Sequence, residues 1–456
     1  MTVKVRFAPS PTGLLHIGNA RAALINWLFA HHYQGHFMLR LDDTDLERSC
    51  DSFADAIHRD LDWLGLKYDS FAKQSDRFDR YDQAMQHLIR SGRLYPCYET
   101  PEELDFKRKR QLAKGEPPLY DRASLTLTKE EKEAFENQGR KPHWRFHLEP
   151  GLVAWNDLVR GPVEFYGERL SDPVLVRADG AYLYTLTSVV DDLDFEITHI
   201  LRGEDHVTNT AVQIQLFKAL NDDKPVNIIF GHTTLLMDAK GQALSKRLGS
   251  LSLQSLRDSG IEPMAINSLL ARLGTSLPVE PCLRLETLAE HFDLSTFSRT
   301  PPHFDDQELV HLNHKLFQIM PYSRVQDRLK SFKSIDENVW MVIRGNVQTF
   351  SDVEKWDHIL FGNFFEGFSA PQDQEFIKQA VDCLPHPNSK EWGSETWAMW
   401  TNLLKEKTGR KGRALFMPLR QVLTGMDHGP EMKDLLPLIG YEKTQQRLLK
   451  RLHNYQ

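Results

Sequence analysis

An apolar run, Val3-Lys4-Val5-Arg6-Phe7-Ala8, passes without a break into Pro9-Ser10-Pro11-Thr12-Gly13-Leu14-Leu15-His16-Ile17-Gly18-Asn19 and then into an Ala-, Leu- and Trp-rich stretch at 20–30. A strand that turns through Pro and Gly straight into a helix is the first half of a βα unit, and such strands pair in parallel. The prolines stiffen the turn, and Gly13 lets it bend. Its backbone N–H groups and the positive end of the helix dipole converge where an anion is stabilised. His16 and the Asn19 amide can donate to phosphate oxygens there, and Gly18 leaves room for a nucleoside to approach the backbone. The plainer alternative is a capped helix start with a surface histidine.

The alternation continues along the chain. A second strand at 36–41 precedes helical patterns at 51–64 and 76–90, the former with Phe53, Ala56, Ile57, Leu61 and Leu64 on one face. At 97–181 the texture changes to a charged helix (101–114), a Pro-containing loop and short strands near 144–146 and 163–166. This reads as an α+β insertion. Strands at 184–190, 197–201 and 228–236, with a helix at 209–220, complete the sheet. Beyond 251 strand signals are sparse, and 263–273, 375–383, 392–407 and 444–453 read as helices. The expected fold is α/β: a Rossmann-like domain with a parallel sheet in two halves, 1–96 and 182–236, around an insertion at 97–181. A loop and helical stretch follow at 237–320, then an all-α region at 321–456. Ligands of such sheets bind beyond the carboxyl ends of strands, where the 9–19 turn lies.

A chain of 456 residues exceeds one ordinary core. Its net charge of −7 argues against indiscriminate nucleic-acid binding and leaves local basic patches open. Cys50, Cys97, Cys282 and Cys383 are scattered without a CxxC pair, which fits a reducing compartment. There is no signal-like apolar segment at the start and no run of membrane-spanning length, so a cytoplasmic protein without membrane contact is expected.

Four further constellations carry chemistry. Arg40-Leu41-Asp42-Asp43-Thr44-Asp45 puts three carboxylates after a strand, enough to hold an ammonium or a ribose; capping of the next helix is the alternative. Arg202, after the apolar strand at 197–201, suits a carboxylate, and an ion pair with a nearby Asp is equally compatible with the spacing. Ala243-Leu244-Ser245-Lys246-Arg247 follows the turn-like Asp238-Ala239-Lys240-Gly241, so Ser245 and Lys246 could swing onto phosphates; a solvated basic loop is the alternative. Lys107-Arg108-Lys109-Arg110 and the segment 405–420 are basic, the latter with six Lys or Arg against one Glu. Solvated helix faces are the usual explanation of such runs.

Taken together these segments resemble class I aminoacyl-tRNA synthetases, whose HIGH and KMSKS signatures are similar to His16-Ile17-Gly18-Asn19 and Ala243-Leu244-Ser245-Lys246-Arg247 in that order. Arg40–Arg48 resembles the R-[IL]-E-D-T-D-x-x-R segment of the glutamyl and glutaminyl members. VVDD…ITHILRGEDH with Asn209-Thr210 resembles the glutamyl branch, as does TGRKGRALFMPLRQVLTG…HGPE, a signature of the bacterial type's helical anticodon-binding region. The resemblance departs at Asp42 (Glu in the family), at Ala243 (commonly Lys) and at Ser188.

The resemblance implies a glutamate–tRNA ligase that makes glutamyl-AMP from glutamate and ATP, then acylates the terminal adenosine of tRNA(Glu). Magnesium accompanies ATP, and relatives need bound tRNA before they activate glutamate. It implies that His16, Asn19, Ser245 and Lys246 act in catalysis. His16, Gly18, Asn19, Asp205, His206, Leu236 and Lys246 would meet ATP, and Arg6, Ser10, Asp42, Tyr184, Ser188 and Arg202 would line the glutamate pocket. Asp45, Lys107, Arg108, Arg410, Lys411, Arg413 and Arg420 would contact tRNA. Some bacterial relatives carry zinc in the insertion. Here Cys97-Tyr98-Glu99 and Tyr120–Ser124 supply one thiol, so no structural zinc is expected. A monomer is expected. The acceptor tRNA(Gln) and a tRNA-binding paralogue without ligase activity stay open as alternatives, as does a glutaminyl-tRNA synthetase, although that enzyme usually carries C-terminal β-barrels where this chain reads helical; a glutamyl-queuosine ligase lacks the anticodon domain and would be far shorter.

Overall fold

The computed structural model describes residues 2–222, 224, 226–238, 241–242, 244, 252–332, 334–362, 374–387 and 392–453. These fall into two compact units, one of residues 1–258 with 266–305, the other of 259–265 with 306–456.

In the first unit, strand β1 (Lys4–Phe7) pairs in parallel with β2 (His36–Leu41), and β2 with β3 (Ser70–Lys73). The helix Ile17–His32 joins β1 to β2 and buries Leu24, Leu28 and other apolar residues. A crossover of this kind is what parallel neighbours require. The insertion supplies β4 (Leu94–Cys97), β5 (His143–Phe146), the hairpin β6 (Leu152–Asp157) with β7 (Gly161–Tyr166), and β8 (Val174–Val176). The parallel pair β9 (His199–Gly203) and β10 (Ile229–Thr233) completes the α/β part. β1 meets β9 where the Thr198 backbone N–H donates to the Lys4 carbonyl at 2.9 Å. The carboxyl ends of β1, β9 and β10 therefore open side by side, the usual place for a ligand in an open parallel sheet.

One expectation is overturned. Residues 184–190 are not a strand but part of the helix Tyr184–Asp194. Thr185, Thr187, Val189 and Val190 favour a strand by their β-branching. Yet Leu186, Val189, Val190 and Leu193 recur at helical spacing and pack into the core beside Tyr81, Leu88 and Phe146, and burial of that stripe outweighs local propensity. The opposite side of the helix turns Asp191 and Asp192, both fully buried, toward Arg40, Arg6 and Arg77.

The second unit is helical among its described residues, from Asp306–Ile319 to Tyr441–His453. Its boundary with the first unit falls at Asp305, ahead of the division at 320 read from the sequence. In Arg413–Thr424 the buried Leu415, Leu419 and Leu423 form the inner stripe, and Gly425, at φ 71°, ends the helix in the left-handed conformation. Among the described residues no helix is long and apolar enough to cross a membrane.

Candidate active site

The turn between β1 and its helix is held by specific bonds that build a capped helix start, the plainer of its two sequence readings. His16 is the N-cap: its Nδ1 accepts from the Gly18 backbone N–H at 3.0 Å, and Asn19 Oδ1 accepts from the His16 N–H at 3.2 Å. Burial lowers the His16 pKa, so the ring is neutral. With Nδ1 accepting, the proton sits on Nε2, and His16 is a fixed N–H donor at the mouth of the turn. Gly18 has a local purpose: a Cβ there would lie 2.9 Å from His16 Cε1 and 3.0 Å from Nδ1. Any side chain would push the imidazole out of its capping position.

A cavity of about 650 Å³ opens beyond the strand ends. Arg6, Ser10, His16, Gly18, Asn19, Asp42, Tyr184, Arg202, Asp205, His206 and Leu236 all line it. Residues read from segments scattered over the chain are thus brought to one place. Arg21, Asn26, Thr233 and Thr234 line it too and were not anticipated. Arg21 is the most unusual of these. Its Nη1 donates to the Thr234 carbonyl at 2.6 Å and its Nη2 to the Leu273 carbonyl at 3.1 Å, and burial pulls its pKa down to about 10. The helix is buried nearly all round, so no polar face in the sequence tells where this Arg points.

The carboxylate cluster after β2 divides. Only Asp42 faces the cavity. Arg40 Nε donates to it at 2.7 Å, and burial pushes the Asp42 carboxyl up to about 6 against the pull of Arg40. Asp43 instead accepts from the Ser75 N–H at 2.8 Å and the Ser75 hydroxyl at 2.7 Å. Asp45 is at the surface, paired with Arg48 at 3.3 Å.

Arg202 is fully enclosed protein on one side and cavity on the other. Among the described residues its hydrogen bonds go to neutral groups: Tyr184 OH at 3.0 Å, Thr210 Oγ1 at 2.6 Å, Gln213 Oε1 at 2.7 Å, His232 Nε2 at 3.3 Å and the His206 carbonyl at 3.5 Å. The ion pair with a nearby Asp that the sequence allowed does not form, because Asp192 is taken by Arg6 Nε at 3.1 Å and Arg40 Nη1 at 2.7 Å. A buried guanidinium without an anion is costly, and a ligand carboxylate relieves that cost.

Ser188 is not in the lining. It is wholly buried behind Arg202, and Gln213 Nε2 donates to its hydroxyl at 2.9 Å. The helix that overturns the strand reading at 184–190 is the reason: Tyr184 at its start reaches the cavity, whereas Ser188, one turn on, faces the protein interior. Ser245 and Lys246, with Ala243, lie outside the described residues.

The proposed nucleic-acid contacts also sort by environment. Lys107 is engaged by Glu99 at 3.1 Å and Asp121 at 3.0 Å, while Arg108 is exposed. Lys411 and Arg413 are exposed at the start of Arg413–Thr424, and Arg410 stacks 4.5 Å from the Phe376 ring centre. Arg420 is half-buried, its Nη2 donating to the Pro430 carbonyl at 2.8 Å.

At the place in the insertion where zinc could be sought, Cys97, Glu99, Tyr120 and Ser124 bond one another. Tyr120 OH donates to Glu99 Oε1 at 2.9 Å, and Ser124 Oγ to Glu99 Oε2 at 2.8 Å. One thiol and one carboxylate already engaged in hydrogen bonds do not fit a tetrahedral zinc.

Comparison with known proteins follows the same division. Residues 2–311 match the family described as tRNA synthetases class I (E and Q), catalytic domain, and residues 302–452 match an anticodon binding domain. The chain is 52% identical over 447 residues to glutamate–tRNA ligase 1 of Maricaulis maris (strain MCS10), with 98% of each covered. It is 51% identical over 456 residues to the glutamate–tRNA ligase of Azospirillum brasilense, covering 98% of this chain and 99% of that one. A crystal structure of a glutamate tRNA ligase from Elizabethkingia meningosepticum CCUG26117, in complex with its amino acid, aligns with a TM-score of 0.85 at 26% identity over 100% of both chains.

Proposed function

The chain belongs to the class I tRNA synthetases of the glutamate and glutamine type, and from that membership we propose that it joins glutamate to tRNA at the expense of ATP. The observation that carries the choice of amino acid is Arg202, a buried cation facing the cavity with neutral partners among the described residues. The side-chain carboxylate of glutamate supplies the missing anion. Glutamine offers an uncharged amide and leaves the guanidinium uncompensated. Asp42 takes the substrate ammonium, and Arg6, Ser10 and Tyr184 close the pocket around the amino acid.

ATP enters as its magnesium complex against the turn of the first helix. An oxygen of the glutamate α-carboxylate attacks the α-phosphorus, the bond to the β-phosphate breaks, and pyrophosphate leaves. His16 donates its Nε2 proton in a hydrogen bond to the phosphates, with Asn19 beside it. Asp205, His206 and Leu236 border the nucleoside, and Ser245 and Lys246 act on the leaving pyrophosphate. The 2′-hydroxyl of the terminal adenosine of tRNA(Glu) then attacks the activated carbonyl and AMP departs. Such a reaction depends on positioning and charge stabilisation more than on a nucleophilic side chain. tRNA(Gln) is the second candidate acceptor. The enzyme works as a monomer in the cytoplasm.

Pyrophosphate exchange tests the reading. Glutamate should support exchange in the presence of tRNA, and glutamine should not. Arg202→Ala should abolish glutamate-dependent exchange while tRNA affinity stays within about twofold of the parent, since the cost falls on a charged contact to the amino acid. Equal exchange with glutamine, or an unaffected Arg202→Ala enzyme, would refute the assignment. Charging purified tRNA(Glu) and tRNA(Gln) separates the two acceptors.

A further inference from the structure

Arg202 can read a carboxylate only if its guanidinium is aimed, and one of its bonds leads out of the catalytic sheet. Its Nε donates to His232 Nε2 at 3.3 Å, and Thr210 Oγ1 lies 2.9 Å from the same nitrogen. The other ring nitrogen, Nδ1, is 2.5 Å from Asp157 Oδ2. His232, on β10, and Asp157, at the end of β6, are both fully buried. Asp157 is saturated with donors. Its Oδ1 accepts from the backbone N–H groups of Val159 and Arg160 at 3.1 Å and of His232 at 3.0 Å, and its Oδ2 also accepts from the Trp155 indole at 3.3 Å.

We propose that Asp157 and His232 are positioning residues for Arg202, and that they act by fixing which nitrogen of the His232 ring carries the proton. The proposal rests on Arg202 being the carboxylate reader, and it adds what holds that reader in place. An ionised carboxylate only accepts hydrogen bonds. The donors around Asp157 keep it ionised, with a pKa near 2, and burial keeps the His232 ring neutral. The single ring proton therefore sits on Nδ1, facing Asp157. Nε2 is left with a lone pair, the form that can accept from Arg202 Nε–H. The opposite tautomer would set N–H against N–H and drive the guanidinium away. The inserted hairpin thus reaches the amino-acid pocket through one carboxylate and one proton.

Asp157→Asn tests this with almost no change in volume. Three backbone N–H groups hold the side-chain oxygen at the Oδ1 position, so the new NH2 must face His232 Nδ1. The ring then has to accept there and carry its proton on Nε2, against Arg202. With purified full-length enzyme, the KM for glutamate should rise at least about tenfold. The KM for ATP and the kcat at saturating glutamate should stay within about threefold, and preference for glutamate over glutamine should narrow. His232→Leu should give a similar loss, and His232→Gln, which retains an acceptor, a smaller one. Thermal melting identifies any variant that fails to fold. If Asp157→Asn misfolds, the contrast between His232→Gln and His232→Leu decides, and equal losses in that pair overturn the proposal. An unchanged glutamate KM in folded Asp157→Asn, or equal increases in both KM values, would also overturn it. Arg202→Ala keeps the two claims apart: if it abolishes glutamate use while folded Asp157→Asn leaves the glutamate KM unchanged, the positioning role fails and the carboxylate reader stands.

Discussion

At the scale of single residues, the site is built from side chains whose protonation is set by what they touch. His16 caps its helix through Nδ1 and so presents Nε2–H. Asn is as good an N-cap as any residue but too short to reach where Nε2 lies. His16→Asn should therefore melt within a few degrees of the parent while adenylate formation falls about 10²–10³-fold, the usual consequence of losing one transition-state donor. A normal rate in single-turnover adenylate assays would show that the turn only caps the helix. Asp42 makes a prediction about pH. Its carboxyl is raised to about 6, so it is ionised above that pH and neutral below it. Only the ionised form pairs with a substrate ammonium. The glutamate KM should be flat on the alkaline side and rise as pH falls through about 6 in the free enzyme, and Asp42→Asn should lose that inflection along with affinity. Titrating KM between about pH 5 and about pH 8 checks it. The difference between Asp42 and its neighbours Asp43 and Asp45 was hidden in the sequence. All three are acidic and adjacent, and only the path of the chain after β2 turns one to the cavity, one to Ser75 and one to solvent.

At the scale of elements, periodicity was legible where a helix or strand has one wet face. The pattern at 51–64 coincides with the helix Asp51–Leu64, whereas the strand His36–Leu41, buried from Phe37 onward, coincides with a short apolar run. It misled where burial is nearly complete, as in Tyr184–Asp194, because an element packed on both sides loses the polar face that marks its period. The short strands β3, β4, β6 and β8 were missed for a related reason: three to six residues carry too little pattern. The helix Arg413–Thr424 shows both faces plainly, with leucines inside and Lys411 and Arg413 exposed at its start. If these two cations meet phosphates, Lys411→Ala with Arg413→Ala should leave folding intact and lower the slope of log tRNA affinity against log salt by about two. An unchanged slope in filter-binding titrations would remove this helix start from the interface. Arg420→Ala, by contrast, should cost stability before it costs binding, since its guanidinium ties the helix to Pro430.

At the scale of the whole chain, the two compact units divide at Asp305, and the cavity with every described residue of the proposed pocket belongs to the first. A fragment ending at Asp305 should unfold in one cooperative urea transition and still bind ATP by calorimetry, because its apolar core is its own. Its tRNA affinity should fall by at least about tenfold with the loss of the helical unit that carries the basic segment at 405–420. A fragment that binds tRNA as the full chain does would refute the division of labour. The sequence by itself determined the chemistry on offer: a turn at His16 suited to an anion, carboxylates after β2, an Arg near the end of β9 and a helical C-terminal part with a basic segment at 405–420. Those are local properties, fixed by residue type and short-range spacing. Tertiary structure alone decided which of them are used. Among the described residues Arg202 pairs with no Asp because Arg6 and Arg40 occupy Asp192, and Ser188 is withdrawn by a helical turn. His232, a lone histidine in an apolar strand, gains its partner Asp157 from a hairpin distant in sequence. A buried polar group is defined by the neighbours that replace its water, and those neighbours are brought together only when the chain folds.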